Sequence, residues 1–255
     1  MTVRGSLPRP ERRVLELLER VRDDASHPDI EDELTALSVA RIADLDEGEK
    51  RAFWLNAYNV AVQHLLAVRS DSPSHAGFFD ATVGVGETTL SLNDIEHGVL
   101  RRRQPSELAY DPVASPRVLT RLEVERLDPR IHFALNCGAR SCPTIVLYES
   151  PHLDDQLDDA TERYLAAEAD YEGGTVVVPE LFEWFEEDFD GPDGVVEFLR
   201  THGPVRRRDS RRRVPRLGLA GYPPQVRVSV RTSTAGGGRP RNGSLIRSSG
   251  YKDTT

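Results

Sequence analysis

One helical stretch, 49–68, constrains what this chain can fold into more than any other feature. Phe53, Trp54, Leu55, Tyr58, Val60, Ala61, Val62, Leu65 and Leu66 are spread nearly all round it, and a helix that is apolar on every side has to be buried. At about 100° per residue, Glu49, Asn56, Asn59 and Gln63 fall on one strip less than a third of the circumference wide. Asparagine is a poor helix former, so a pair three residues apart inside an apolar helix needs a reason. Either the strip faces solvent, as polar residues usually do, or the carboxamides line an internal polar site that holds a loop backbone or a substrate amide.

The second organising stretch is 131–143, Ile-His-Phe-Ala-Leu-Asn-Cys-Gly-Ala-Arg-Ser-Cys-Pro, which carries both cysteines. Ile131, Phe133 and Leu135 alternate with His132, Ala134 and Asn136, the period of a half-buried strand. The expected strand runs into a polar loop where Gly138 permits a tight turn and Pro143 stops continuation. On such a strand His132 and Asn136 share the face that could look toward the polar strip of the buried helix.

Elsewhere the pattern is mostly helical. Val14, Leu15, Leu18 and Val21 predict an amphipathic helix over 10–24, and a weaker helical pattern covers 30–43. A hairpin is expected from 81–85 and 88–92 around the Gly86-Glu87 turn. Asn93 followed by Glu96 reads as a capping box opening a helix over 94–103, with His97 on the side away from Ile95 and Val99. Prolines at 105, 112 and 116 mark a long loop, and Asp128-Pro129 announces the strand. A helix over 152–167, a strand over 175–178, an aromatic turn over 180–189 that closes the core, and a helix over 194–202 follow. The expected fold is α+β, with a small mixed or antiparallel sheet packed around the central buried helix and papain/transglutaminase-like in its broad grouping. The expected organisation is an N-terminal helical segment over 1–45, the α+β domain over 46–203 and a tail over 204–255.

Charge separates body from tail. The net charge of −9 hides 13 of the 33 Lys+Arg and only 2 of the 42 Asp+Glu in 204–255, so the tail stands at +11 and residues 1–203 at −20. Such a body repels nucleic acid and anionic membranes, which leaves a small-molecule or peptide substrate as the expected partner and nucleic acid only through the tail. Lys50 and Lys252 are the only lysines; with the acidic body this points to a GC-rich gene and a high-salt cytoplasm. The N-terminus shows no signal-peptide pattern and no apolar run reaches the length of a membrane span, so the expected location is cytoplasmic. Without periodicity and with Arg runs at 206–208 and 211–213, the tail is expected to be disordered. It reads either as an arm for an acidic partner or as a frame-shifted read-through of GC-rich DNA, which the other two reading frames would settle.

Glu49, the run Phe53-Trp54-Leu55-Asn56-Ala57-Tyr58-Asn59, the run Leu90-Ser91-Leu92-Asn93-Asp94-Ile95-Glu96-His97, the stretch 132–143 and the aromatic-acidic run 182–189 together resemble the domain-of-unknown-function family 547 over roughly 46–199. The resemblance implies membership of a family known by its pattern, without an established reaction. Relatives tend to continue into an apolar, aromatic-containing end, and the basic tail departs from that.

Three chemistries compete for the cysteine stretch. A thiol hydrolase or acyl-transfer enzyme would use Cys137 or Cys142 as nucleophile, His97 or His132 as base, and Asn56 to orient or stabilise, with Asn59, Glu49, Arg140 and Asn136 on the substrate side. No cofactor is expected for it. A metal site from His132, Cys137, Cys142 and His97 lacks a familiar zinc spacing, and a redox pair lacks the usual Cys-x-x-Cys. The non-catalytic alternative is a ligand- or protein-binding module in which the cysteines brace a turn and Arg140 pairs with a carboxylate such as Glu49.

Overall fold

The structure, a computed structural model, describes residues 9–23, 29–68, 77–102, 111–136, 143–172, 175–203, 227–231 and 245–246. Two compact units divide the chain, Met1–Leu157 and Asp158–Thr255. The first contains α1 (Pro10–Asp23), α2 (Ile30–Thr35), α3 (Val39–Ala43), α4 (Glu47–Val68), the hairpin β1 (Thr82–Val85) and β2 (Thr88–Ser91), a π-helix over Asp94–Leu100 and α5 (Pro116–Leu122). Single 3-10 turns at Pro129–Phe133 and Ser150–His152 then lead to α6 (Leu153–Glu168), within which the division between units falls.

The all-round apolar surface of α4 is buried as expected. Thirteen of its residues, from Ala52 to Leu65, are buried, and Trp54 satisfies its indole by donating from Nε1 to the Leu122 carbonyl at 3.1 Å. Helices and turns supply its main contacts: α1, the π-helix and the Ser150–His152 turn. This corrects the expected sheet packed around the helix. The hairpin sits against α2 instead. Its tip is held there by Gly86 N–H donating to Leu34 O and Val39 N–H donating to the Glu87 carboxylate, each at 2.9 Å. The Val39 N–H, with Glu87's own backbone N–H, keeps the Glu87 carboxyl below its ordinary range. Gly86 has a left-handed φ of 57°, and an added Cβ would lie 2.9 Å from Leu37 O, so the turn needs glycine on both counts.

The helical pattern over 30–43 divides into α2 and α3, and α5 forms inside what reads as a long loop. The larger correction is at 131–136, where a 3-10 turn replaces the strand. Ile131, His132, Phe133, Ala134 and Leu135 are all buried, so the alternation of residue types does not separate two faces. Asp128-Pro129 is a helix start: the Asp128 side chain accepts the Arg130 N–H at 3.0 Å and proline takes the first turn, where no N–H is missed.

In the second unit β3 (Asp170–Glu172), β4 (Thr175–Pro179), β5 (Arg227–Arg231) and β6 (Leu245–Ile246) form a mixed sheet in that order, antiparallel, parallel and antiparallel. Strands β5 and β6 lie inside 204–255, where no regular structure is expected; the rest of that tail lies outside the described residues. After β4 come α7 (Leu181–Trp184), a 3-10 turn over Glu186–Phe189 and α8 (Gly191–His202). Phe182, Phe189 and Phe198 cluster with centroid separations of 4.9 to 6.1 Å, and the His202 ring lies 4.6 Å from Phe198. Trp184 does not join this core; it is 65% exposed. The described residues are mostly helical and broadly α+β. Among the described residues no helix is long and apolar enough to cross a membrane.

Candidate functional site

Helix α4 is the bench on which the candidate residues are mounted. Its first turn is closed by a reciprocal cap: Glu49 N–H donates to Asp46 Oδ1 at 2.8 Å and Asp46 N–H donates to Glu49 Oε2 at 3.2 Å, the capping-box arrangement. Arg9 adds an ion pair to the same Glu49 oxygen at 2.5 Å. Glu49 thus works at the helix N-terminus. Its expected counterpart Arg140 lies outside the described residues.

Two turns into the helix the carboxamides reach loop backbone. Asn56, 1% exposed, donates from Nδ2 to Tyr148 O at 2.8 Å and accepts Tyr148 N–H at 3.0 Å. Asn59, 0% exposed, donates to Ala134 O at 3.2 Å and accepts Asn136 N–H at 2.9 Å. Each side chain imitates a strand edge, meeting one N–H and one C=O that would otherwise be buried unpaired. Asn136 then donates from Nδ2 to Pro143 O at 2.6 Å. Asn136 and Pro143, which flank 137–142, are therefore tied to each other and, through Asn59, to α4. Cys137, Arg140 and Cys142 belong to that stretch and lie outside the described residues.

A second cluster sits one residue earlier on α4. Buried Tyr58 donates its phenol to Glu96 Oε2 at 3.3 Å; burial, and after it the Glu96 charge, push the phenol well above its ordinary value, so it remains a donor. Glu96 and His97 lie on the π-helix, a rare conformation found frequently at functional sites. His97 Nδ1 is 2.8 Å from Arg101 Nη1 and 3.8 Å from Glu96 Oε1. The cap of this helix is Ser91 with Asp94, not Asn93 with Glu96. Ser91 N–H donates to Asp94 Oδ2 and Asp94 N–H to Ser91 Oγ, both at 2.9 Å, and Asp94 Oδ2 also accepts Ala114 N–H at 3.1 Å. Asn93 instead donates to Asp80 at 2.8 Å.

His132 is 6% exposed on the 3-10 turn leading into 137–142. Period-2 logic does not carry from His132 to Asn136 through that turn, so the shared strand face is lost. Charged residues hold the start of the turn: Asp128 accepts Arg130 Nη2 at 2.7 Å, Arg51 stands 3.7 Å away, and Arg130 reaches Asp154 at 2.8 Å. Burial works to raise the Asp128 carboxyl, but the Arg130 hydrogen bonds and the Arg51 charge outweigh it and leave it below the ordinary range. Tyr58 and Glu96 read from sequence as a core residue and a cap residue, and Arg101 carries no site signal of its own. Tyr58 was hidden in an apolar face, and only the spacing from His97 to Arg101 hinted at the last pair. Among the described residues no group of three or more His, Cys, Asp or Glu is placed to hold a metal ion.

Residues 42–165 match the family model described as Protein of unknown function, DUF547. No curated protein and no solved structure matches the chain.

Proposed function

We propose, from the match of residues 42–165 to the DUF547 model, that this part of the chain is a thiol-dependent hydrolase or acyl-transfer enzyme whose nucleophile is a sulfur of the stretch 137–142. The observation that carries this reading is the Asn59–Asn136 clamp, which ties the residue before the thiol-bearing stretch to the buried helix α4 and, through the Asn136 side chain, to Pro143 after it. A loop that must present a nucleophile within a few tenths of an ångström needs such support. In the reaction, the thiolate sulfur of Cys137 or Cys142 forms a bond to a carbonyl carbon and the bond to the leaving group breaks. A histidine takes the thiol proton and returns it to the leaving group. Water then attacks the thioester, giving the acid and restoring the thiol; an amine or alcohol in place of water gives transfer. His132 and His97 are the proton-handling candidates, Arg140 binds the substrate, and Asn56, Asn59 and Asn136 position the loops. The papain/transglutaminase-like grouping would then appear with its residues in reversed chain order.

A second reading, a non-catalytic binding module, is favoured by one observation: among the described residues Asn56 and Asn59 both bond to backbone groups, so neither carboxamide requires a ligand. Iodoacetamide alkylation read by mass spectrometry separates the two. The enzyme reading expects one cysteine, identified with Cys137→Ser and Cys142→Ser, to react at pH about 6 on the order of tenfold faster than an ordinary thiol of pKa about 8.5. Two cysteines that both follow the ordinary thiol's pH profile would leave only the binding module.

A further inference from the structure

We infer that Arg101 is a positioning residue that fixes His97 as the Nε2–H tautomer, and that His97 therefore acts as a hydrogen-bond donor and not as the base. The observation is the 2.8 Å separation between Arg101 Nη1 and His97 Nδ1. A guanidinium is protonated at every pH a protein meets and has donors only. Two N–H groups cannot face each other at that distance, so Nδ1 presents its lone pair to Arg101. A neutral imidazole carries one N–H, and here it is on Nε2.

Glu96 does not compete for Nδ1. Glu96 Oε1 is 3.8 Å from the same nitrogen, beyond hydrogen-bond reach, and the other Glu96 oxygen accepts the Tyr58 phenol at 3.3 Å. The backbone supports the arrangement, because Arg101 N–H closes the π-helix on Glu96 O at 2.9 Å and so fixes where the arginine starts relative to His97. The side chain of His97 is 22% exposed.

The assignment of a role rests on the thiol-enzyme reading. An Nε2–H donor can stabilise a developing oxyanion, but it has no lone pair on that nitrogen to take a thiol proton. Within that reading the base is then His132, on the turn that enters the thiol stretch.

The test is long-range 15N–1H correlation spectroscopy of the imidazoles in the full chain near neutral pH, with the His97 signals identified by their loss in His97→Gln. The wild type should show His97 as the Nε2–H tautomer. Arg101→Lys, which still offers only donors, should keep it, and Arg101→Met should give a mixture of tautomers. A wild-type ring found as Nδ1–H or doubly protonated would overturn the inference. So would an unchanged Nε2–H population in Arg101→Met with the rest of the spectrum native. This readout needs no substrate, so it stands or falls separately from cysteine alkylation.

Discussion

Asn59 shows how one side chain can connect the core to a candidate site. It is fully buried and its two polar ends are matched to Ala134 O and Asn136 N–H. Asn59→Ala should strand both groups, costing about 2–6 kcal/mol at roughly 1–3 kcal/mol per unsatisfied buried group. Urea unfolding measures this, and a loss under about 0.5 kcal/mol would mean that water or a shifted loop replaces the clamp. The same variant should slow alkylation of the reactive thiol on the enzyme reading. Asp128 makes a pH-dependent prediction at the same scale. Its folded carboxyl is held below the ordinary range, so its contribution is fully present above the unfolded value, about 4, and is lost as pH falls through the lower folded value. Asp128→Asn should therefore cost roughly 1–3 kcal/mol at pH 7, with the gap from wild type closing by more than half near the acid limit of folding. An equal gap at both pH values would assign the loss to shape alone.

Among the elements, the π-helix and the hairpin depend most on single residues. The observed cap pairs Ser91 with Asp94, and Asp94 alone accepts two buried N–H groups, from Ser91 and Ala114. The expected order of destabilisation is Asp94→Ala at about 2–4 kcal/mol, Ser91→Ala at about 1 kcal/mol, and Asn93→Ala within about 0.5 kcal/mol, since its bond to Asp80 is exposed. Thermal or urea unfolding of the three variants checks it, and Asn93→Ala ranking first would restore the cap read from sequence. Gly86→Ala adds a second element-level expectation: positive φ and a 2.9 Å approach to Leu37 O act together, and a loss of more than about 1 kcal/mol is expected, read by the same unfolding curves. A neutral result would show that the hairpin tip lifts away from the α2–α3 link without cost.

Across the whole molecule, charge makes the testable statement. Residues 1–203 stand at −20 and 204–255 at +11, and like charges on one body repel at low ionic strength. Raising NaCl from about 0.1 M to about 1 M, which shortens the screening length from about 10 Å to about 3 Å, should raise the urea midpoint of the full chain. A midpoint that stays level or falls would remove the high-salt reading.

Legibility followed the physics of each signal. Helix α4 could be read because all-round apolarity has one solution in water, burial, whatever surrounds it. The hairpin could be read because a two-residue turn with glycine at its first position is local. The family likeness could be read because several runs, Asn56 to Asn59 and Asp94 to His97 among them, occur together in order. What the tertiary structure alone decided is where the polar groups of those runs are used. Asn56 and Asn59 meet backbone groups 75 to 92 residues away, and no local pattern encodes a partner at that separation. Residues 131–135 alternate in type yet are buried on both sides, because the fold wraps the segment and so erases the contrast between faces on which period-2 reading depends. The proton we assign to His97 turns on the 2.8 Å contact between its Nδ1 and the guanidinium four residues on, and the spacing allows that contact without fixing it.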